Sequence, residues 1–232
     1  MLTVKVLASG SKGNCYLLAY NNQTIILDCG IGIKEIKKGL DFDVSKVVGV
    51  IVSHEHKDHS LSVEDIRNMG IPIFAPYELG NVKKSHIRMG NFDITAFDLP
   101  HNGTWNNGFL IKVGGQKVLY MPDFMFCDYV FKKQKVNHIL IECNYQSKYV
   151  ERELVNYEHK IRGHCELNTC KECIEANATN ELRTVLLLHM SFQTCDFEEC
   201  ITEVKKVVKN GVYVDYARKG LEMELKENMC PF

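Results

Sequence analysis

Ser53-His54-Glu55-His56-Lys57-Asp58-His59 is the stretch of this chain whose reading decides the fold. It follows the apolar run Val47 to Val52, so its polar residues open a loop at the end of a buried strand. Loops on a rigid scaffold are where functional side chains concentrate. Histidine is scarce, with 9 in 232 residues, yet His54, His56 and His59 fall together here. Imidazole and carboxylate donors suit zinc, manganese or iron. Ligands two residues apart can aim His54 and His56 at one ion, and Asp58 and His59 can turn toward a second.

One short segment cannot complete two metal shells, so further ligands are expected at other strand ends. His101 lies in Leu99-Pro100-His101-Asn102, after the run Asn91 to Phe97. Asp123 lies in Tyr120-Met121-Pro122-Asp123, after Lys117 to Tyr120. His189 closes the run Val185 to Leu188. Singly, each is a weak signal, since a lone His after a strand is more often a satisfied structural residue. Together they are three candidate ligands, each at the end of an apolar run.

The remaining pattern places these runs in a fold. Strands are predicted at Thr3 to Ala8, Tyr16 to Tyr20, Thr24 to Leu27, Val47 to Val52, Ile71 to Phe74, Asn91 to Phe97, Phe109 to Val113 and Lys117 to Tyr120. Asn21-Asn22 and Gly114-Gly115 signal antiparallel hairpins. Later come the apolar strands Ile139 to Ile141 and Val185 to Leu188, and a last pair, Gly211 to Tyr216 and Leu221 to Leu225. Helical patterns cover Ser62 to Met69, with Ser62 as N-cap, a weaker stretch after Asp123, then Ser147 to Arg162, Glu166 to Ala176 and Phe197 to Lys209. Two packed sheets with helices outside fit this order, an α/β chain. With no internal repeat and no long linker, residues 1–232 read as one domain.

Composition narrows the function. The net charge of -1 rules out a general polyanion binder, so nucleic acid would need a local basic face or metals to hold it. The chain has 10 cysteines, but its start shows no signal-peptide pattern and no run has membrane-span length. A reducing, cytoplasmic setting with free thiols is expected, without membrane attachment. Cys165, Cys170 and Cys173 could form part of a zinc site. They fall in a helical pattern with no second cysteine pair, which favours buried thiols.

The pattern H-x-H-x-D-H, followed by His, Asp and His at later strand ends, resembles the metallo-β-lactamase-fold superfamily over nearly the whole chain. The resemblance implies a four-layer αββα fold with two mixed β-sheets sandwiched between helices. It implies two divalent ions, Zn2+ or Mn2+: His54, His56 and His101 on the first, Asp58, His59 and His189 on the second, and Asp123 bridging. Asp28, in Leu27-Asp28-Cys29-Gly30, matches a motif that supports the histidine loop, although on sequence alone it could be a turn residue. His56, rather than a carboxylate, argues against the redox flavodiiron branch, and Asp123 against true β-lactamases. Two such ions can share a water and lower its pKa, which implies hydrolysis.

The bond to be cleaved rests on other features. Ser9-Gly10-Ser11-Lys12-Gly13-Asn14 is a Gly-rich loop that either cradles a phosphate or simply turns the chain. Ser9, Ser11, Asn14 and Asn144 are the expected substrate contacts. Glu142 and Asn144 follow Ile139 to Ile141, and Arg162-Gly163-His164 stands between two helical patterns. These pieces resemble the small stand-alone YycJ/WalJ-type exonuclease group of bacteria and phages, with a looser parallel to ribonuclease Z. Carried over, His164 is the proton donor, Glu142 orients it, and Asp58 joins them as a catalytic residue. His164 could instead cap a helix. The segment Gly163 to Asn168 departs from the group's shorter G-H-L-S-N pattern, which leaves the alignment beyond His164 open. The chain has no room for a β-CASP lid and no evident tRNA-gripping arm. Lys12, Lys57, Lys148, Lys160 and Arg162 could form a basic rim or be solvated charge. The expected function is cleavage of nucleic acid, DNA favoured. The alternatives are a hydrolase of small phosphodiesters or thioesters, or a non-catalytic metal-binding sensor.

Overall fold

A computed structural model describes residues 1–80, 84–152 and 157–227. The strands are β1 (Leu2–Ala8), β2 (Cys15–Tyr20), β3 (Gln23–Leu27), β4 (Val47–Ile51), β5 (Ile73–Phe74), β6 (Lys84–Met89), β7 (Phe92–Asp98), β8 (Asn107–Val113), β9 (Gln116–Met121), β10 (His138–Glu142), β11 (Thr184–Leu188), β12 (Tyr213–Tyr216) and β13 (Glu222–Glu224). The helices are α1 (Ile33–Gly39), α2 (Lys57–Ser60), α3 (Val63–Asn68), α4 (Tyr157–Gly163), α5 (Leu167–Asn177) and α6 (Phe197–Val207).

A six-stranded sheet runs β13-β1-β2-β3-β4-β5, and a seven-stranded sheet runs β12-β11-β10-β9-β8-β7-β6. Both are mixed. In the first, β3, β4 and β5 are parallel and the rest antiparallel. In the second, β9 to β12 are parallel and β6 to β9 antiparallel.

Side-chain alternation along these strands builds three apolar layers. Ile25 and Leu27 of β3 face inward against Val118 and Tyr120 of β9, Leu140 of β10 and Leu186 of β11, forming the core between the sheets. Ile26, on the other face, packs with Val50, Ile36 of α1, and Val63 and Ile66 of α3. On the outer face of the second sheet, Ile139, Ile141, Val185 and Leu187 pack against Leu167, Cys170 and Ile174 of α5 and Cys200, Ile201 and Val204 of α6. Three cores between four layers give the αββα sandwich that the sequence predicts.

Strand direction places the functional loops. Because β7, β9, β10 and β11 point the same way, the residues after them gather at one edge of the second sheet. The ends of β3 and β4 gather at one edge of the first. Asn107 N donates to Ser53 O (3.1 Å), and Tyr120 Oη donates to Asp28 Oδ2 (2.5 Å), which joins the two edges.

Several elements differ from the sequence prediction. No helix follows Asp123. There, Phe124 N donates to Glu142 Oε2, Met125 N to Pro100 O and Phe131 N to Asn177 Oδ1, so tertiary partners take donors that a helix would use. The helix predicted over Ser147 to Arg162 is a 3₁₀ turn at Ser147–Tyr149 and then α4, and residues 153–156 of that prediction lie outside the described residues. Ser62 sits at the N-cap of α3, but its hydroxyl donates to Ile31 O (2.6 Å) instead of capping. The predicted last pair is split: β12 lies parallel to β11, and β13 antiparallel to β1 in the other sheet. Three elements, α1, α2 and β6, were not foreseen: α1 buries only Ile36 and so carries little periodic signal, and α2 is a four-residue turn of helix within the segment read as a loop. Cys165 and Cys170 are buried in the core beside α5 and α6, and burial pushes the Cys165 thiol up to about 12. Among the described residues no helix is long and apolar enough to cross a membrane.

One close approach fixes the histidine loop. Asn14 N donates to Asp58 O (2.7 Å), Cys29 N to His59 O (2.8 Å) and Gly30 N to Asn14 O (3.0 Å). A Cβ at Gly30 would land on the carbonyl of Asp58. Gly30→Ala is therefore expected to push α2 off the sheet edge, costing about 1–3 kcal/mol as overpacking does. Thermal unfolding and metal content would both fall. An unchanged variant would show that the approach is not needed.

Candidate metal centre

The strand ends bring together every residue that the sequence nominates as a ligand. His54, His56 and His101 offer one ligand atom each, all within 4.8 Å of one another. Asp58, His59, Asp123 and His189 form a second group by the same measure, and Asp123 and His189 also belong to a third with Glu142 and His164. All are buried except His56 and Asp58, which are partly exposed. Asp28, Asp123 and His189 have positive φ (54°, 21° and 49°), a costly backbone state for non-glycine residues, found where the surroundings over-determine it.

The five histidines of the first two groups share one arrangement. Each has one ring nitrogen beside an outer protein group and the other turned into the cluster, where His59 Nε2 also meets Asn14 Nδ2 (2.9 Å). His54 Nδ1 meets Ser53 Oγ (3.0 Å), and His56 Nε2 meets Thr104 Oγ1 (3.3 Å). His59 Nδ1 meets Asp28 Oδ2 (2.8 Å), and His101 Nδ1 meets Gly163 O (2.5 Å). His189 Nδ1 meets Glu142 Oε1 (3.1 Å) and Asn144 Nδ2 (2.9 Å). Outer partners of this kind set tautomer and ring orientation in metal-binding histidines.

The inward atoms fit a cation. His56 Nδ1 lies 3.1 Å from His54 Nε2 and 3.2 Å from His101 Nε2, so three ring nitrogens converge with too few protons to satisfy one another. Asp123 Oδ1 and His189 Nε2 are buried and lack a hydrogen-bond partner. Buried unsatisfied polar atoms are rare and ask for an explanation, and a divalent ion between these donors supplies one.

The electrostatics agree. Burial pushes His54 and His101 below the usual imidazole range. Burial also opposes charge on His189, but Asp123, Asp58 and Glu142 outweigh it and hold its pKa up to about 10. His59 is held up against burial by Asp123 and Asp28. Asp123 is buried, yet His189 and His59 hold its carboxyl well below the usual range. The metal-free cluster thus keeps protons on His59 and His189, and a cation must displace them. His189 sheds its proton only as pH rises through about 10, so metal affinity is expected to rise with pH from 6.5 to 8.5. Calorimetric titration of chelated protein with Mn2+ in buffers of different ionisation heat would read both the affinity and the protons released. Affinity independent of pH would contradict this.

Glu142 and His164 stand apart from the other candidates. Glu142 Oε2 accepts from Phe124 N (2.8 Å) and Cys165 N (3.0 Å), while Oε1 lies 2.6 Å from His164 Nδ1. That carboxylate is already satisfied, which suits a supporting group better than a ligand. His164 stacks on His189 with ring centroids 5.1 Å apart.

The expected substrate contacts divide. Ser11 is exposed in the Gly-rich loop. Ser9, Asn14 and Asn144 are instead taken up by the protein. Ser9 Oγ accepts from His189 N (2.9 Å) and Tyr16 Oη (2.8 Å). Asn14 Nδ2 lies 2.9 Å from His59 Nε2, and Asn144 Nδ2 donates to His189 O (2.9 Å). The loop closes on itself through Gly13 N to Gly10 O (2.9 Å), a turn rather than an open cradle. Of the predicted basic rim, Lys12, Lys57 and Arg162 are exposed, Arg162 in an ion pair with Glu158 (3.0 Å). Lys160 is buried and donates to Asn144 Oδ1 (2.8 Å), and Lys148 pairs with Glu199. Sequence reasoning missed Ser53, Thr104 and Tyr120, whose residue types carry no metal signal, and placed Lys160 on the rim instead of behind Asn144; only the contacts reveal these roles.

Residues 8–122 match the family model described as the metallo-beta-lactamase superfamily. Exodeoxyribonuclease YycJ of Bacillus anthracis is 21% identical over 221 residues, covering 82% of this chain and 83% of its own. Among solved structures, the metallo-beta-lactamase fold protein YhfI of Bacillus subtilis superposes with a TM-score of 0.72 at 19% identity, over 96% of this chain and 98% of its own. Human tRNase Z, short form, superposes with a TM-score of 0.61 at 11% identity, over 97% and 99%. At such identities the structural likeness establishes the fold.

Proposed function

On the premise that the chain carries a metallo-β-lactamase-superfamily domain, we propose that it is a dinuclear metal-dependent phosphodiesterase that cleaves nucleic acid, DNA in preference. His54, His56 and His101 would hold one divalent ion, Asp58, His59 and His189 would hold a second, and Asp123 would serve both. Zn2+ and Mn2+ both suit these donors. The observation that carries this reading is the shared arrangement of the five histidines, each braced on one nitrogen with the other turned inward. When bound, such a metal pair supplies Lewis acidity and lowers the pKa of water toward neutrality.

The chain's own residues supply the rest. His164, tied through Nδ1 to Glu142, has Nε2 left to carry a proton to the leaving oxygen. Glu142, held by two backbone amides, sets the direction of that imidazole. Asp28, Asn14 and Asn144 orient His59 and His189 and do not touch substrate. Ser11, Lys12 and Lys57 are exposed groups on hand for a phosphate backbone, and Arg162 is exposed but paired with Glu158 (3.0 Å). A nucleic-acid substrate draws its support from the names of relatives, an exodeoxyribonuclease and a tRNase.

The test is incubation of metal-loaded protein with labelled linear DNA, labelled RNA and bis(p-nitrophenyl) phosphate. DNA is expected to be cleaved. Cleavage of the small ester alone would sink the nuclease reading, and no cleavage of anything, with metal bound, would favour a sensor.

A further inference from the structure

A groove of about 730 Å³ opens beside the cluster and shares His101 with it. Its lining includes Asn102, Thr104, Trp105, Met125 and Arg162. Trp105 is the only tryptophan in the sequence, and it is 52% exposed. Tryptophan is the side chain that gains most from being covered, so a ring left half in water on a groove wall is a surface waiting for a partner.

The segment carrying this ring is fastened to the metal cluster. Thr104 N donates to His101 O (2.8 Å), and Thr104 Oγ1 lies 3.3 Å from His56 Nε2. Asn102 N donates to Arg162 O (3.0 Å), and Asn102 Nδ2 meets His159 Nδ1 (2.9 Å). On its far side, Asn106 Nδ2 donates to Asp123 O (2.5 Å). Trp105 is therefore bracketed by residues bonded to His56, His101 and Asp123, which anchors its backbone beside all three.

We propose that this groove is a nucleobase subsite, in which Trp105 stacks on a base of the substrate strand next to the phosphate held at the metals. The inference rests on the phosphodiesterase reading above and adds to it what holds the strand. An indole face accepts any base, because every base has a π-face. Arg162 is held in an exposed ion pair with Glu158 (3.0 Å), a weak surface pair that a phosphate of the strand can compete with, and Asn102 and Thr104 offer polar contacts to sugar or base edges. An acyl chain would meet these same polar groups with nothing to pair them, which favours a nucleoside as the occupant. The overall charge of -1 gives no general attraction to a polyanion, so affinity has to come from local stacking and the metals.

Because the tryptophan is unique, its fluorescence reads the subsite directly. Metal-loaded protein would be titrated with a phosphorothioate-protected single strand and with an abasic strand of equal length. The base-bearing strand is expected to quench Trp105 and to bind about 5- to 150-fold more tightly than the abasic one, the range that one aromatic–base stack supplies. Trp105→Ala should bring that ratio close to one, and Trp105→Phe should retain most of it. If unprotected strands are cleaved while Trp105 emission stays unmoved and abasic and base-bearing strands bind alike, the subsite is wrong and the phosphodiesterase stands. If no strand is bound or cleaved, both readings fall.

Discussion

Replacing His164 with alanine is expected to slow cleavage of a nucleic acid strand by about 10²–10⁴-fold, the usual cost of losing a general acid, while metal content stays the same. His164 reaches the cluster mainly through Glu142, 2.6 Å from its Nδ1. Its distance to Asp123 Oδ2 is 3.7 Å, too long for a hydrogen bond. The loss should depend on the leaving group. An alkoxide leaving a sugar needs a proton, whereas p-nitrophenolate leaves without one, so bis(p-nitrophenyl) phosphate should be hurt far less. Because His164 also falls in the third group with Asp123, Glu142 and His189, a variant that loses metal would instead make it a ligand.

Asp123→Asn is expected to be more damaging still. Asp123 is 2% exposed and stands 3.3 Å from His59 Nε2 and 3.4 Å from His189 Nδ1. Neutralising it leaves two buried imidazoles without the charge that keeps them protonated, and breaking a buried ion pair costs about 3–5 kcal/mol. The metal-free protein should therefore unfold at lower temperature. Metal stoichiometry should fall from two toward one, and turnover should drop by more than the roughly 10–100-fold typical of outer partners such as Asp28. Metal analysis after gel filtration, beside the Asp28→Asn variant, checks both. Equal losses from Asp28→Asn and Asp123→Asn would remove the case for Asp123 as a bridge.

The layers of the fold could be read from the strands because alternation is local: Ile25, Ile26 and Leu27 announce two buried faces whatever surrounds them. The gathering of His101, Asp123 and His189 was legible for a related reason, since each follows an apolar run that must end at a sheet edge. The segment after Asp123 could not be read, because its backbone donors go to Pro100, Glu142 and Asn177, partners distant in sequence. Asn14 and Asn144 look like substrate contacts in a one-dimensional reading, being polar and near motif residues. Only packing turns them inward, toward His59 and His189. Gly30 shows the same limit: its need for a bare Cα comes from Asp58, far along the chain.

The central claim, a two-metal phosphodiesterase, is tested most directly by following bis(p-nitrophenyl) phosphate turnover as Mn2+ or Zn2+ is added in steps to chelated protein. Turnover is expected to climb and level off at two equivalents per chain. Saturated metal binding with no turnover at any ratio would contradict it.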